Sequence, residues 1–270
     1  MKHLILGAGN MVEALMPGYI ESAKSEGHEF YIYTPSKSRA MAFAKSHFIN
    51  GIEDIQEVID IGFDFLWPAM KPQLFEAAMK EYIDLGFNFS KSVVISMMAG
   101  KEINALKSVT KSSSVIRLMP NTPSSVGEGV NLIYSDMDPK DVKSHMSFFD
   151  NVAKNFFLVS EDQIDQLTPF SGSGPAYFFE FSRIFEEKIK SFGVDERVAR
   201  ELVARTMRGS SKMLMESSLS SKTLRENVTS KGGVTYEALK VYSDNDLEEI
   251  FSKAIDHAIL RNDQLKGDSK

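Results

Sequence analysis

The sequence predicts an α/β fold in two parts, a doubly wound parallel sheet followed by an all-helical domain. Up to about residue 160, short apolar runs alternate with longer segments of mixed polarity, which is the pattern of strands and helices that build a parallel sheet. A glycine turn, Gly7-Ala-Gly9, follows the first apolar run, and the strand signals stop after Ser160. We therefore predict a sheet domain over residues 1–160 and a helical domain over residues 161–270.

Seven apolar runs are predicted strands, and four of the segments between them are predicted helices. The strands are expected at residues 3–6, 30–33, 63–66, 92–95, 114–118, 130–134 and 156–159. The helices are expected at residues 11–26, 36–46, 71–86 and 138–151. Strands separated in this way by helices pack as a sheet with helices on both faces.

The helical part carries large apolar side chains at helical spacing. On one predicted helix these are Phe178, Phe181, Phe185, Ile189 and Phe192. Asp195 is the predicted N-cap of a second helix, and a third is predicted over residues 246–265. Because so much apolar surface is difficult to bury within the helices alone, we expect a homodimer through residues 161–270. The alternative is that these helices pack on the sheet domain of their own chain.

Composition and charge exclude several classes of site. The 31 basic and 37 acidic residues give a net charge of −6, so no overall positive field attracts nucleic acid. The chain has no cysteine, and its five histidines are scattered, which argues against disulfides, thiolate chemistry and a metal site. No apolar run approaches the roughly 18 residues of a membrane span, and no secretory signal is recognisable. We expect a soluble cytoplasmic protein.

The turn after the first predicted strand has the features of a Rossmann-like dinucleotide site. Gly7 permits a tight turn, and Gly9 lets the backbone approach a pyrophosphate. Asn10 and Met11 then begin a helix whose positive end faces the phosphates. Val12 stands where this motif usually has glycine or alanine. The alternative is an ordinary glycine turn between a strand and a helix.

The residues after the second predicted strand indicate which dinucleotide binds. An acidic residue there would accept hydrogen bonds from the ribose 2′-hydroxyl of NAD and repel the 2′-phosphate of NADP. This chain has no carboxylate in that stretch but offers the hydroxyls of Thr34 and Ser36 and the cations of Lys37 and Arg39. We therefore expect NADPH to be preferred over NADH. The alternative is that Ser36 caps the next helix and the cations are solvated.

Five further motifs lie at junctions between predicted elements. Three follow predicted strands, where the carboxyl ends of parallel strands line a ligand crevice: Ala69-Met-Lys71-Pro72-Gln73, Ser96–Gly100 and Met119-Pro120-Asn121-Thr-Pro123. Two glycine-rich turns precede helices, at Ser171–Tyr177 and Ser230–Thr235. The second of these, which we call the substrate loop, has the composition of an anion-binding nest.

Taken in order, these motifs resemble those of the pyrroline-5-carboxylate reductases, which complete proline synthesis. The matching segments are GAGNM at 7–11, KPQ at 71–73, SxxAG at 96–100, MPNTP at 119–123, GSGPAY at 172–177 and LRENVTSxGG at 224–233. The resemblance implies that NAD(P)H binds to an N-terminal Rossmann domain. It also implies an all-helical domain that interlocks with a second copy, giving dimers that in this family often assemble into decamers.

The resemblance implies roles for individual residues as well. In the substrate loop, the carboxylate of the substrate would be bound by Ser230, Gly232, Gly233 and Val234, and Thr235 would lie beside the imine nitrogen. Residues after the strands would hold the nicotinamide, namely Ala69, Lys71, Pro72, Ala99, Gly100, Pro120 and Asn121, and Gln56 would also contact the cofactor. Thr235 and Lys71 are the candidate catalytic residues. The alternative for Thr235 is a helix N-cap.

The expected reaction is the NADPH-dependent reduction of 1-pyrroline-5-carboxylate, a cyclic imine carboxylate, to L-proline. A protonated or hydrogen-bonded imine accepts a hydride readily, so the protein need supply only orientation, carboxylate binding and a donor at nitrogen. Two residues of the substrate loop depart from the family, Lys231 where proline is usual and Val234 where a small residue is usual. Two alternatives therefore stay open. One is a related imine reductase or hydroxy-acid dehydrogenase, and the other is a non-catalytic nucleotide-binding sensor.

Overall fold

The computed structural model describes residues 1–267 and confirms the α/β fold. The chain forms two compact units, one made of Met1–Pro175 together with the end of the chain from Ala258, the other of Ala176–His257. The first unit contains an eight-stranded sheet, and the second is built from helices. None of the helices among the described residues combines the length and the apolar character needed to cross a membrane.

The sheet has the strand order β3-β2-β1-β4-β5-β6-β7-β8. Its strands are β1 (Lys2–Leu6), β2 (Glu29–Tyr33), β3 (Asn50–Gly51), β4 (Phe65–Pro68), β5 (Val93–Ser96), β6 (Val115–Met119), β7 (Gly129–Tyr134) and β8 (Ala153–Phe157). Strands β1 to β6 are parallel, β7 is antiparallel to β6, and β8 is parallel to β7. The predicted doubly wound sheet is thus confirmed, with its last two strands reversed.

Helices connect the strands of the first unit and continue into the second. Those that begin before residue 174 are α1 (Asn10–Ser25), α2 (Lys37–His47), α3 (Phe75–Asp84), α4 (Ile103–Thr110), α5 (Pro139–Met146) and α6 (Asp162–Ser171). The later ones are α7 (Gly174–Lys190), α8 (Glu196–Glu216), α9 (Ser221–Asn227), α10 (Val234–Asp244) and α11 (Leu247–Gly267). The sequence pattern did not reveal β3, α4, α6 or α9, and of α10 only the start was predicted, from the glycine-rich turn at Ser230–Thr235. All of these are short, so their patterns contain few periods.

Two strands lie at other positions than predicted. Strand β4 begins at Phe65, two residues later than predicted, and ends at Pro68, which pairs with Leu6 of β1. The strand can include this proline because a proline at the end of a strand leaves the ladder before it intact. Strand β8 begins at Ala153, earlier than expected. Asn155 within it accepts a hydrogen bond from Asn131 Nδ2 in β7 at 2.8 Å. This polar pair interrupts the apolar pattern and concealed the start of the strand.

Apolar cores cover both faces of the sheet. Successive side chains of a strand point to opposite faces, so Ile5 packs in one core while Leu4 and Leu6 pack in the other. Helix α1 contributes the fully buried Val12 to the first core, and α3 contributes Phe75 to the second. The departure at Val12 from the usual glycine motif is therefore accommodated by core packing.

The second unit exposes much of its predicted apolar stripe. The N-cap at Asp195 is confirmed, because its carboxylate accepts hydrogen bonds from the first turn of α8. Phe181 of α7 stacks on Phe251 of α11 with ring centroids 5.5 Å apart. Phe178 and Phe185, by contrast, are 60% and 46% exposed. Apolar surface of this extent is typical of a protein interface.

A buried histidine in β1 belongs to a chain of hydrogen bonds. Trp67 Nε1 lies 3.1 Å from His3 Nδ1, and His3 Nε2 lies 2.9 Å from His28 Nδ1. An indole nitrogen only donates, so His3 Nδ1 is the acceptor and His3 Nε2 donates to His28. Both imidazoles are neutral in this arrangement. Burial lowers the pKa of His3 to about 2 and also lowers the pKa of His28.

We expect the free energy of unfolding to fall as the pH drops below about 6.5, the ordinary pKa of histidine. The unfolded chain takes up protons near that pH, whereas the lowered pKa values keep both imidazoles neutral in the fold. Stability is therefore full above that pH and is lost as the pH falls toward the pKa values of the folded state. The loss amounts to at most about 1.4 kcal/mol per pH unit for each histidine kept neutral.

Denaturant unfolding at a series of pH values measures this dependence. The variant His28→Asn retains an acceptor for His3 Nε2 but cannot titrate, so its stability should depend less steeply on pH. An unchanged slope in this variant would contradict the assignment.

Candidate active site

The glycine turn after β1 has the geometry of a phosphate-binding turn. Gly7 has φ +121°, and a Cβ there would lie 2.4 Å from the carbonyl oxygen of Ala69, so both conformation and space require glycine. Gly9 is the N-cap of α1, and a Cβ on it would meet no atom within 4 Å. No side chain caps this helix. Gly9 therefore borders open space at a helix N-terminus, as a bound pyrophosphate requires.

The turn opens into a cleft of about 520 Å³, the cofactor cleft. Its lining contains eight of the predicted cofactor residues, from the turn after β1, the segments after β4 and β5, and α2: Gly9, Asn10, Met11, Arg39, Ala69, Lys71, Pro72 and Ala99. Pro68, Met70, Gln73, Met97 and Met98 complete the lining, which contains no acidic residue. Among the described residues, no group of three or more His, Asp or Glu side chains is placed to hold a metal ion.

Three predicted cofactor residues from the stretch after β2 do not line the cleft. Thr34 is half-buried, and Lys37 is exposed at the start of α2. Ser36 occupies the N-cap position of α2, but its side chain makes no capping hydrogen bond. Ser36 thus lies at the N-cap, as the alternative interpretation requires, but its hydroxyl does not form the expected capping hydrogen bond.

The remaining predicted cofactor residues in the first unit have structural partners or special backbone conformations. Gln56 is exposed on a short 3₁₀ turn, where its backbone N–H donates to Asp54. Gly100 has φ +72°, and Pro120 is buried. Asn121 is also buried, and its amide donates to Ser171 O at 3.1 Å while its Oδ1 accepts from Val130 N at 2.8 Å. The Asn121 side chain thus fastens the loop after β6 to α6 and β7.

The substrate loop lies in the second unit and leads into α10. Gly232 has φ +71°, and Gly233 N donates to Ser230 O at 2.9 Å. A Cβ on Gly233 would lie 2.4 Å from Ser230 Oγ and 3.1 Å from Ser230 O, so a side chain at this position would require Ser230 to move. Gly233 is the N-cap of α10 and Thr235 lies within its first turn, so the alternative of Thr235 as the N-cap is wrong. Val234 is 93% exposed.

The loop therefore presents a helix N-terminus that no side chain caps. This arrangement suits an anion such as a carboxylate. Thr235 belongs to the second unit and Lys71 to the first, so their joint role in catalysis stays a prediction.

A buried charged cluster, which was not predicted from the sequence, joins β6 to the start of α6. Arg117 of β6 is 2% exposed, and its guanidinium lies 3.0 Å from Asp165 Oδ1 and 3.1 Å from Glu161 Oε1. The same Glu161 oxygen accepts a hydrogen bond from Ile103 N, at the start of α4, at 2.8 Å. The signal was present, because a lone arginine in an apolar strand requires a carboxylate partner, and Glu161 and Asp165 are one helical turn apart.

Alanine substitutions at the two glycines should separate folding from cofactor binding. Gly7→Ala places a methyl group against the Ala69 carbonyl at a strained φ, so we expect a loss of about 1–3 kcal/mol of stability or more. Gly9→Ala meets no protein atom, so stability should change by less than about 0.5 kcal/mol. Its methyl group would nevertheless occupy the space for the pyrophosphate and weaken NADPH binding about ten-fold or more.

Thermal unfolding and titration with NADPH, followed by its fluorescence, measure both effects. A Gly9→Ala variant that binds NADPH as tightly as the wild type would show that the pyrophosphate does not approach this turn.

Two family models match different parts of the chain. Residues 161–265 match the model described as pyrroline-5-carboxylate reductase dimerisation. Residues 2–100 match the model described as NADP oxidoreductase, coenzyme F420-dependent. The first match supports oligomerisation through the C-terminal helices, in accord with the exposed apolar side chains of α7. The domain boundary between residues 160 and 161 stays a prediction, since the first compact unit continues to Pro175.

Individual proteins match over nearly the whole chain. The pyrroline-5-carboxylate reductase of Staphylococcus aureus (strain COL) is 33% identical, with 98% of each chain covered. The 1-pyrroline-5-carboxylate reductase structure from Streptococcus pyogenes is 27% identical with a TM-score of 0.84, covering 99% of this chain and 98% of that one. The NADP-bound pyrroline carboxylate reductase of Plasmodium falciparum has a TM-score of 0.83 over 98% of both chains and, at 24% identity, supports the fold. The chain belongs to the pyrroline-5-carboxylate reductase family.

Proposed function

We propose that this protein reduces 1-pyrroline-5-carboxylate to L-proline with NADPH as the hydride donor. As a member of this family, the chain is an NAD(P)H-dependent oxidoreductase that acts on a C=N bond. The observation that carries the proposal is the cofactor cleft, which gathers predicted residues from four segments around the open N-terminus of α1. Neither a histidine nor a metal is needed for hydride transfer to an activated imine.

The residues of the cofactor cleft fit NADPH. The backbone of Gly9 and the first turn of α1 would bind the pyrophosphate, because nothing fills the space in front of them. Arg39 and the hydroxyl of Ser36, which makes no capping hydrogen bond to α2, would bind the 2′-phosphate. Thr34 and Lys37 are nearby in the sequence. Lys71 is exposed at the cleft and adds positive charge. When bound, NADPH supplies the hydride that is added to the imine carbon.

The residues of the substrate loop would hold and activate the imine. Backbone N–H groups at the uncapped start of α10 and the hydroxyl of Ser230 would bind the substrate carboxylate. The Thr235 hydroxyl would donate a hydrogen bond to the imine nitrogen, which makes the adjacent carbon a better hydride acceptor. The nitrogen gains a proton as the carbon gains the hydride, which gives the secondary amine of proline. Thr235 would supply that proton directly or relay it from water.

The departures in the substrate loop bear on which imine is reduced. Val234 and Lys231 are both exposed, so neither disturbs the packing of α10. Lys231 adds a cation to a loop that already favours anions, which supports a carboxylated substrate. Val12, the other departure, packs in the core without filling the space beside Gly9, so it does not favour a non-catalytic sensor.

The protein is proposed to assemble as a homodimer. Homodimerisation through the C-terminal helices is supported by the dimerisation family and by the exposed aromatic side chains of α7. Assembly into decamers and a cytoplasmic location stay predictions.

The purified protein should oxidise NADPH in the presence of 1-pyrroline-5-carboxylate, and faster than with a six-membered or an uncarboxylated imine. Thr235→Ala should lower kcat about 100-fold, since it removes a donor at the reacting nitrogen, and leave NADPH binding unchanged. Ser230→Ala should raise the KM for the carboxylated imine about ten-fold with little change in kcat. Absorbance of NADPH measures turnover.

Thr206→Ala is the matched control, because it removes the same hydroxyl from an exposed position on α8, where it donates to Leu202 O. If no imine is reduced by the wild-type protein, the proposal is wrong. If the Thr235→Ala and Thr206→Ala variants reduce the imine with the same kcat, another group must be the proton donor.

Ser36→Asp should weaken NADPH binding at least about ten-fold while leaving NADH binding nearly unchanged, because a carboxylate would repel the 2′-phosphate. Fluorescence titrations with the two cofactors measure the ratio of their dissociation constants. An equal loss for both cofactors would contradict the assignment of the 2′-phosphate to this position.

A further inference from the structure

We propose that Lys101 and Glu76 form a positioning pair that sets the distance between two of the segments lining the cofactor cleft. The inference rests on the proposed function only in that NADPH is the ligand of this cleft. Neither side chain lines the cleft itself, but each belongs to a residue that closely follows a lining segment in the sequence. Their role would be to hold those segments in the arrangement that binds the cofactor.

The ion pair joins the segments that follow β4 and β5. Lys101 comes directly after Gly100, at the end of the segment in which Met97, Met98 and Ala99 line the cleft. Glu76 lies in the first turn of α3, just after the lining residues 68–73. Lys101 Nζ and Glu76 Oε1 are 3.1 Å apart. The pair thus connects two walls of one cleft.

The ladder between β4 and β5 ends before it reaches the cleft. The ladder between β4 and β5 pairs Phe65 with Val93 and Leu66 with Val94. The last two residues of each strand, which lead into the cleft, lie beyond these pairs. Each strand is held to its end by its other neighbour, β4 by β1 and β5 by β6. The ion pair adds a direct contact between the two segments that follow β4 and β5.

The burial of Lys101 makes the pair more than a surface salt bridge. The Lys101 side chain is 5% exposed, whereas that of Glu76 is 65% exposed. Exposed ion pairs contribute little, but an ammonium removed from water depends strongly on its partners. Gly100, with φ +72°, provides the turn that precedes this buried lysine. At the other end of the segment, Ile103 N is held by Glu161 at 2.8 Å.

The segment from Gly100 to Ile103 is thus held at both ends, and the ion pair of Lys101 with Glu76 links it to α3. An apolar residue at position 101 could fill the same space but could not bind the Glu76 carboxylate. We expect its loss to loosen the cleft and weaken cofactor binding, since small misplacements of binding groups have large effects on a ligand held at several points.

Two variants test the pair from its two sides. Lys101→Met retains most of the buried stem and removes the charge, and Glu76→Gln changes only an exposed carboxylate, so this second variant should fold in any case. We expect each to raise the dissociation constant and the KM of NADPH about five-fold or more, with partial recovery in Lys101→Arg. The double variant Lys101→Met/Glu76→Gln should bind no worse than Lys101→Met alone, because Lys101→Met already removes the contact that Glu76→Gln weakens.

The matched control is Asp136→Asn, which breaks the ion pair between Lys107 and Asp136 (2.6 Å) on residues that do not line the cleft. It should bind NADPH as the wild type does. The measurement is NADPH fluorescence at a temperature well below unfolding, with thermal unfolding recorded in parallel. A purely structural role predicts a lower unfolding temperature with an unchanged dissociation constant in the folded protein, and that result would overturn the inference. Failure of the wild-type protein itself to bind NADPH would instead overturn the proposed function.

Discussion

The close approach of two backbone segments at Gly7 is the constraint on which the cofactor cleft depends. The carbonyl oxygen of Ala69 lies only 2.4 Å from the point where any other residue at position 7 would carry its Cβ. This contact is possible because β1 and β4 are neighbours in the sheet, joined up to the pair of Leu6 and Pro68 and one step further by the bond from Ala69 N to Leu6 O. The chain then turns through Gly9 into α1. The position of the helix N-terminus, and of the space in front of it, follows from this packing.

A buried charged cluster joins the sheet to the helices that follow it. Arg117, Glu161 and Asp165 join β6 to α6, and Glu161 also holds the start of α4. The cost of burying a guanidinium is offset only while its carboxylates are present, and removing one partner from such a cluster typically costs about 3–5 kcal/mol. The cluster therefore disfavours any shift of α6 that would separate these groups. Glu161 is also the first residue of the segment that matches the dimerisation family.

The sequence allowed the architecture and much of the cleft to be predicted, since both depend on local patterns. Glycines at the end of a strand, an acid-free stretch after β2 and lysine-proline after β4 are readable without knowledge of contacts. Helix α6 was not predicted, and β8 was predicted too late in the chain. The start of β8 was hidden because Asn155 is typical of a loop until its hydrogen bond with Asn131 is known. Lys101 and Arg117 were overlooked for the same reason. Their importance comes from carboxylates 25 and 44 residues away, and no periodicity connects such positions.

The hydrogen-bonded Trp67 has a practical consequence for experiments on this protein. It is the single tryptophan of the chain, fully buried in the first unit, with its indole N–H bound to His3. Emission excited selectively from tryptophan therefore reports on the sheet core alone, while circular dichroism is dominated by the helices of both units. Comparing the two signals during unfolding separates the loss of the nucleotide-binding unit from the loss of the helical one. Trp67 thus serves as an intrinsic fluorescent probe at a single known position.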